Sequence, residues 1–471
     1  MAIARLFYDS CIPINVINSI YFQPMVDAIT AIGHGYKIPT YHNLRVNLLR
    51  DARKEVQLLV DGYKNILEDV GCTLMVDDWI DNSHRSLINF LVYCPKGVCF
   101  VKSVDASHVV KDATTLFSLF EEITLWVGPN NIVHLVTYNG ANYKAAGKML
   151  FEKYSSITWS PCAAHCIDLM LKDIAEMSHI VNLSRCASEG WTEIIRLGAT
   201  LFATTFIALS SLHQHKHDLK STMTYITFVE SRYAKTNKGF AFISIVLDNR
   251  FWDDIGIISK VVSPLMLMLR IVDSDERPSI GYVYEGMYRT RMGIKKLFKN
   301  KKNLYKPYTI IIKMLWDRML HHDIHAATYY LNPAFKYDED TFPKKLEVMY
   351  GFLDTIDNKS GTFKMSKTML LEESRLYRDR LENFSRELAL QTCKTTRLGA
   401  IPIDGGDHPS YYDSIDASEE FFVDDVADVN NDDDHLSDGV YNLDPNSGIL
   451  HSVNSNIADV SMMMSTVEPA G

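Results

Sequence analysis

The sequence predicts a mixed α/β protein with a large helical part, and three observations lead to this. Three short apolar runs follow one another from residue 71, and two more alternate with helical stretches up to residue 177. Residues 178–390 then carry apolar stripes at helical spacing, and from about residue 398 Asp, Ser, Asn and Gly dominate. With 471 residues, 47% of them hydrophobic, the chain is expected to form two or three folded units.

The first 70 residues are predicted to form an N-terminal helical region. In LRVNLLRDARKEVQLLVDGYKNILEDV, residues 44–70, apolar residues recur every three or four positions with charges between them. This spacing is the period of an amphipathic helix.

The next hundred residues alternate between strand and helix patterns. CTLMVDDWI, SLINFLVYC and VCFVKSVDA predict three consecutive strands, the last two joined by a Pro-Lys-Gly break. A helix capped by Asp112 follows, then the strand NIVHLVTYN, a helix, the short strand SITWSPC and the helix AAHCIDLMLKDIAEM. The order is β-β-β-α-β-α-β-α.

This element order is that of a ribonuclease H-like fold, in which consecutive hairpins and right-handed crossovers give a mixed sheet with helices on both faces. The predicted domains are a helical region over 1–70, a ribonuclease H-like core over 71–177, an all-α insertion over 178–397 and a disordered acidic tail over 398–471.

Charge is distributed unevenly along the chain. The net charge is −10, but residues 401–471 contain 16 acidic residues and no Lys or Arg, so the first 400 residues carry a balance of +6. No uncharged apolar run approaches the roughly 20 residues of a membrane helix, and no membrane association is expected. Eight scattered cysteines fit a reducing compartment.

Acidic residues at strand ends are the candidates for chemistry. In a ribonuclease H-like sheet the first and fourth strands and a late helix supply carboxylates that hold two divalent metal ions. Asp77 and Asp78 lie near the end of the first strand, although acids there are more often turn formers. The fourth strand ends in Tyr138 and Asn139 instead, and neither a neutral phenol nor an amide replaces a carboxylate.

Several long motifs resemble one family. GCTLMVDDWIDNSHRSLINFLVYCPKG, VTYNGANYKAAGKML, WSPCAAHCIDLMLKDI, FWDDIGIISKVVSPLMLMLRIVDSDERPSIGYVYEGM and HAATYYLNPAFKY strongly resemble plant hAT-type transposase-like proteins. The resemblance covers about residues 1–395. It implies a ribonuclease H-like fold with a helical insertion between the second and third catalytic carboxylates.

The resemblance also implies that some catalytic residues and flanking segments of the family are missing from this chain. The family's first catalytic Asp falls on Asp77, and the Asp of its Val-Thr-Asp-Asn motif is replaced by Tyr138. Its third catalytic Glu lies in a Cys-Glu-Arg-Asn-Trp-Ser-like motif that we do not find. Its Thr-Arg-Phe-Ala-Thr reads Thr-Leu-Phe-Ala-Thr at 200–204. We expect the BED-type zinc finger and the C-terminal dimerisation segment to be missing, and dimerisation to be impaired.

Two further groups of residues are candidates for binding. Cys162 and His165 open the last predicted helix of the core. A structural zinc site needs four ligands, so a packing role is favoured over metal and no metal site is predicted. The family resemblance agrees, since the element looks structural there. Lys295, Lys296, Lys299, Lys301 and Lys302 crowd one basic run that could contact phosphates or direct nuclear import, although an exposed helix end is at least as probable.

The function expected from the sequence is that of a degenerate, catalytically inactive, nuclear transposase-like protein. It would need no cofactor and would bind DNA weakly without sequence preference, or bind protein partners. One alternative is an active Mg²⁺-dependent nuclease in which other acids replace the lost ones: Asp105 or Asp112, with Glu372, Glu373 or Glu382. The other is a non-functional transposon remnant.

Overall fold

The computed structural model describes residues 2–81, 83–188, 203–273, 279–337, 346–359, 366–387 and 391. Contacts within the chain separate residues 1–66 from residue 67 onward as two compact units. The predicted acidic tail and residues 200–202 of the Thr-Leu-Phe-Ala-Thr motif lie outside the described residues.

The N-terminal unit is helical. Its helices are α1 (Ala2–Asp9), α2 (Phe22–Ile32) and most of α3 (Leu49–Val70). A π-helical stretch, Asn43–Leu48, leads directly into α3, so the helix predicted over 44–70 is observed. Phe7 and Phe22 pack edge to face at 5.9 Å and join α1 to α2.

A five-stranded mixed sheet begins the second unit. Its strands are β1 (Cys72–Ile80), β2 (Ser86–Cys94), β3 (Gly97–Asp105), β4 (Ile132–Thr137) and β5 (Thr158–Pro161). The order across the sheet is β3-β2-β1-β4-β5. β1 and β3 are antiparallel to β2, whereas β1, β4 and β5 are mutually parallel. The sequence prediction of five strands and a mixed α/β architecture is therefore confirmed.

Three helices alternate with the parallel strands: α4 (Ala113–Val127), α5 (Ala141–Lys153) and α6 (Ala163–Ala175). Asp112 caps α4 as predicted, since its carboxylate accepts from the Thr115 backbone N–H at 2.8 Å. Phe90 of β2, Phe120 of α4 and Tyr143 of α5 form a chain of ring contacts about 6 Å apart, which fixes these helices on one face of the sheet.

The rest of the described chain is helical, as the sequence predicted for 178–390. Its helices are α7 (Ser178–Ser188), α8 (Ala203–Gln214), α9 (Lys216–Thr224), α10 (Ile226–Val229), α11 (Asn237–Leu247), α12 (Asn249–Asp273), α13 (Ile280–Leu297), α14 (Lys302–Leu315), α15 (Asp323–Leu331), α16 (Pro333–Lys336), α17 (Leu346–Lys359) and α18 (Lys367–Arg378). A π-helical segment, Trp316–Leu320, follows α14.

Helix α12 is the core of this helical part. Within the described ranges it is the one helix whose length and apolar composition would suffice to cross a membrane. In the 18-residue apolar stretch of α12 that meets this test, 61% is nevertheless buried inside the protein, as is typical of a core helix. A search for uncharged runs overlooks α12 because Lys260 and Arg270 both interrupt its apolar sequence.

A buried group of basic side chains joins the sheet to the later helices. Lys359, at the end of α17, donates to the carbonyl oxygens of Val133 and Ser156. His134 of β4 is 2% exposed and its Nε2 lies 2.8 Å from the Ser160 hydroxyl. His325 of α15 is equally buried.

Burial keeps these imidazoles neutral. It lowers the pKa of His134 to about 3, helped by the nearby charge of Lys359, and it lowers the pKa of His325 in the same direction. The pKa of Lys359 falls to about 8 for the same reason. Protonating His134 therefore places a second cation near the Lys359 ammonium, in a buried site.

We predict that acid destabilises the fold through His134. Its unfolded pKa is about 6.5 and its folded pKa is lower, so stability is lost as pH falls from about 6.5 towards 3. At pH 5 the pKa difference of His134 lowers the free energy of unfolding by roughly 2 kcal/mol. Urea unfolding at pH 7.5 and at pH 5 measures the free energy of unfolding that is lost between these pH values. This loss should be smaller in His134→Gln than in the wild type by about this amount. His217→Gln, at an exposed position, is the control; equal losses in His134→Gln and the wild type would refute the prediction.

Candidate functional site

The candidate site lies where the pairing of β1 with β4 ends. The two strands run parallel, with Met75 opposite Val136. The pairing ends there: Asp77 lies two residues further along β1, which continues to Ile80, and Tyr138 directly follows Thr137, the last residue of β4. The register thus places the two residues that the sequence analysis assigned to one site at equivalent steps beyond the last pair of these neighbouring strands.

Asp78 is held by partners on one face of the sheet. The ammonium of Lys111 lies 2.5 and 2.7 Å from its two carboxylate oxygens, and the Tyr143 hydroxyl donates to Oδ2 at 2.7 Å. Asn142 donates to the Lys111 carbonyl oxygen at 2.6 Å and so fixes the loop that carries this lysine. The carboxylate charge is therefore neutralised within the protein.

Asp77 points to the opposite face, because successive side chains alternate along a strand. Its carboxyl reaches solvent, although the surrounding protein removes part of its hydration. This desolvation raises the pKa of Asp77, the charge of Asp78 adds to the rise, and the backbone N–H of Asp78 opposes it. Asp77 is the accessible carboxyl of the pair.

Tyr138, the residue that follows β4, carries an aromatic ring where the sequence analysis looked for a second carboxylate. The ring is 41% exposed, and its centroid lies 4.5 Å from the His165 ring and 6.0 Å from the Tyr143 ring. Its backbone is fixed as well, since the Thr137 hydroxyl donates to the Tyr138 carbonyl oxygen and accepts from the Trp159 indole N–H. Tyr138 is therefore held in position by aromatic contacts and by a fixed backbone.

Cys162 and His165 lie at the start of α6, where Cys162 is the residue that precedes the first turn. The Cys162 backbone N–H donates to the Thr137 carbonyl oxygen at 2.8 Å, which ties α6 to the end of β4. Burial raises the pKa of the Cys162 thiol, and the charges of Asp273 and Asp77 add to this. Burial lowers the pKa of His165, against the charge of Asp168.

A protonated thiol is a poor metal ligand. The described residues contain no group of three or more His, Cys, Asp or Glu side chains placed to hold a metal ion.

The other carboxylates named by the sequence make local contacts. Asp105 accepts from the backbone N–H and hydroxyl of Ser107, and Asp112 caps α4. Glu372 forms an ion pair with Arg375 at 2.8 Å, within one turn of α18. These contacts occupy three of the acids considered as replacements for the lost Asp or Glu.

Three residues around the site were not predicted. Lys111 and Tyr143 bind Asp78, and Asp273 ends α12 near Cys162. Burial, and then the charge of Asp168, raises the pKa of Asp273 to about 6. Lys111 immediately precedes the predicted cap at Asp112, but nothing local to the sequence pairs it with a strand 33 residues earlier.

The predicted basic residues lie together at the junction of two helices. Lys295 and Lys296 are in the last turn of α13, Lys299 is in the connecting turn, Lys301 caps α14 and Lys302 begins it. The Lys295 ammonium lies 5.8 Å from the centre of the Tyr305 ring. These lysines form a surface of their own in the helical part of the chain.

Comparison with known protein families matches part of the chain to a family model. Residues 39–189 match the family described as Domain of unknown function (DUF659), which is associated with hAT-like, plant transposase-like proteins. The match covers about a third of the chain and includes every strand of the sheet together with Asp77, Tyr138, Cys162 and His165. No curated protein matches the chain.

We predict that Lys111 and Asp78 are energetically coupled. Lys111→Met leaves a largely buried carboxylate without its cation, and we expect a loss of about 2–3 kcal/mol in the free energy of unfolding. In the double variant with Asp78→Asn, part of this loss should be recovered, which a double-mutant cycle in urea measures.

Lys148→Met is the matched control, since Lys148 is exposed and lies 3.8 Å from Glu152. We expect Lys148→Met to lower the free energy of unfolding by less than about 0.5 kcal/mol. A coupling energy near zero for the Lys111 cycle would contradict the prediction.

Proposed function

We propose that this protein is a degenerate hAT transposase-like protein. It no longer cuts or joins DNA, and it associates with nucleic acid in the nucleus without reading sequence. The DUF659 match and the long motifs that resemble plant transposase-like proteins support the first part of this proposal.

The proposal includes a ribonuclease H-like core. Three antiparallel strands followed by two parallel strands, in the order β3-β2-β1-β4-β5, agree with the order expected for that fold. Helices α4, α5 and α6 follow β3, β4 and β5 in turn, as the crossovers of such a core require.

The observation that carries the loss of catalysis is Tyr138 beside Asp77. A two-metal site needs several carboxylates around the ions, because their charge balances two divalent cations and their oxygens fix the geometry. Here one of the two adjacent positions holds a phenol, and Asp78 is already neutralised by Lys111. The donor set does not fit a pair of magnesium ions.

The chain's own residues suit a non-catalytic role at this edge. Tyr138 is packed on His165 and Tyr143, and the strand end is tied to α6 through Thr137 and Cys162. Nucleic-acid association then depends on positive charge elsewhere, in the lysines between α13 and α14. Binding through such charge is independent of sequence and weakens steeply with salt.

We predict that the purified chain does not nick supercoiled plasmid DNA in Mg²⁺ or Mn²⁺. Manganese binding, followed by electron paramagnetic resonance, should be weak in the wild type and at least about tenfold tighter in Tyr138→Asp. That substitution places a second carboxylate next to Asp77.

Tyr138→Phe is the matched control and should leave metal affinity unchanged. Circular dichroism establishes that each variant is folded. Metal-dependent nicking by the wild type that disappears in Asp77→Asn would refute the proposed loss of catalysis.

A further inference from the structure

The junction of α13 and α14 is an exposed basic surface, which we call the basic hairpin and define as residues 295–306. It contains six lysines in twelve residues, and no Asp or Glu occurs anywhere from residue 286 to residue 316. Five of its side chains are exposed: Lys296, Lys299, Lys301, Lys302 and Lys306. Among the described residues, none of these five takes part in an ion pair.

The backbone of the basic hairpin concentrates this charge. Lys299 and Asn300 both adopt left-handed conformations, with φ of 50° and 57°, and this tight turn reverses the chain between the helices. The rings of Phe298 and Tyr308 stack at 5.7 Å with an interplanar angle of 10°, which holds the two helix ends together. The lysines therefore belong to one compact surface.

The start of α14 is electrostatically unfavourable by itself. A helix N-terminus carries partial positive charge and is stabilised by acidic side chains, but α14 has none in its first turn. Its cap is Lys301, whose side chain makes no capping hydrogen bond, and Lys302 follows. A polyanion bound here would relieve repulsion among the lysines and satisfy the helix end.

The same chain contains a polyanion of matching size. Residues 413–438 include eleven Asp or Glu, and the whole stretch 401–471 has no Lys or Arg. Residue 413 is 22 positions beyond residue 391, so the intervening chain spans at most roughly 75 Å. This exceeds the diameter expected for a globular unit of about 400 residues, roughly 55 Å. The attachment also gives the segment an effective concentration that a separate ligand rarely has.

We propose that the acidic segment 413–438 binds the basic hairpin within the same molecule and competes with nucleic acid for it. The contacts are ammonium–carboxylate pairs between the exposed lysines and the acidic side chains. Nucleic acid binds when its denser phosphate charge displaces the segment. The competition with nucleic acid rests on the proposed function, whereas the contact between segment and hairpin stands independently of it.

Zero-length cross-linking of the full chain tests the contact directly. A carbodiimide joins an ammonium to a carboxylate that touches it, and mass spectrometry identifies the pair. We expect cross-links from Lys299, Lys301 or Lys302 to residues 413–438 at 1 µM and at 0.1 µM protein alike. A yield that falls with dilution would assign the contact to a second molecule and overturn the proposal, as would the absence of these cross-links.

Two charge-matched variants make the test specific. Lys301→Gln with Lys302→Gln should reduce the cross-linking yield several-fold, whereas Lys235→Gln with Lys238→Gln, at exposed positions in another part of the chain, should not. Equal yields in both variants would overturn the proposal.

Duplex binding tests the competition. In a full-length variant with the eleven acidic residues of 413–438 changed to Asn or Gln, we expect affinity for a 20-base-pair duplex to rise about tenfold at 50 mM salt and to converge with the wild type at 300 mM. An unchanged affinity at 50 mM would overturn the competition.

The outcomes separate the two proposals. Cross-links without any duplex binding would refute the proposed nucleic-acid function and leave the intramolecular contact standing. If the wild type and the variant with amides at 413–438 bound the duplex with equal affinity and formed no cross-links, the intramolecular contact would be refuted. The proposed nucleic-acid function would then stand. Phosphatidylserine vesicles serve as a second polyanion: binding to vesicles but not to duplex would assign the basic hairpin to membranes and refute competition with nucleic acid.

Discussion

The parallel pairing of β1 with β4 is the constraint on which the candidate site depends. It sets two strands that are far apart in sequence side by side, with Met75 opposite Val136, 61 positions later in the chain. Asp77 and Tyr138 lie at equivalent steps beyond this pair only because of this register. The same edge receives the start of α6, since the Cys162 N–H binds the last carbonyl oxygen of β4. A shift by one residue would turn every side chain of β1 to the other face.

The two acidic residues near the end of this pairing have different charge environments. Asp78 has an ammonium and a phenol as partners, while Asp77 keeps its access to solvent and has a raised pKa. Two neighbouring acids on one strand thus have different environments, because the strand alternates between faces. The two acids therefore serve different purposes: Asp78 is bound within the protein, and Asp77 is left accessible.

Local sequence patterns predicted the parts of this structure that depend on near neighbours. The five strands, the helices between them and the Asp112 cap follow from apolar periodicity and capping chemistry over a few residues. The pairing of Lys111 with Asp78 and the stacking of Tyr138 on His165 could not be predicted in this way. They join residues that are 33 and 27 positions apart, and only the tertiary packing of strands and helices selects them.

Lys359 has a consequence for the order of events during synthesis. Its ammonium joins two carbonyl groups of the sheet region, and it lies 226 positions after Val133 in the chain. At translation rates of roughly 5–20 residues per second, the ribosome needs about 10–45 s to proceed from one to the other. During that interval the two carbonyl groups must be hydrated or otherwise bound, because the lysine has not yet been made. The nascent sheet therefore spends many seconds open to chaperones and to misfolded pairings before its contact with Lys359 can form.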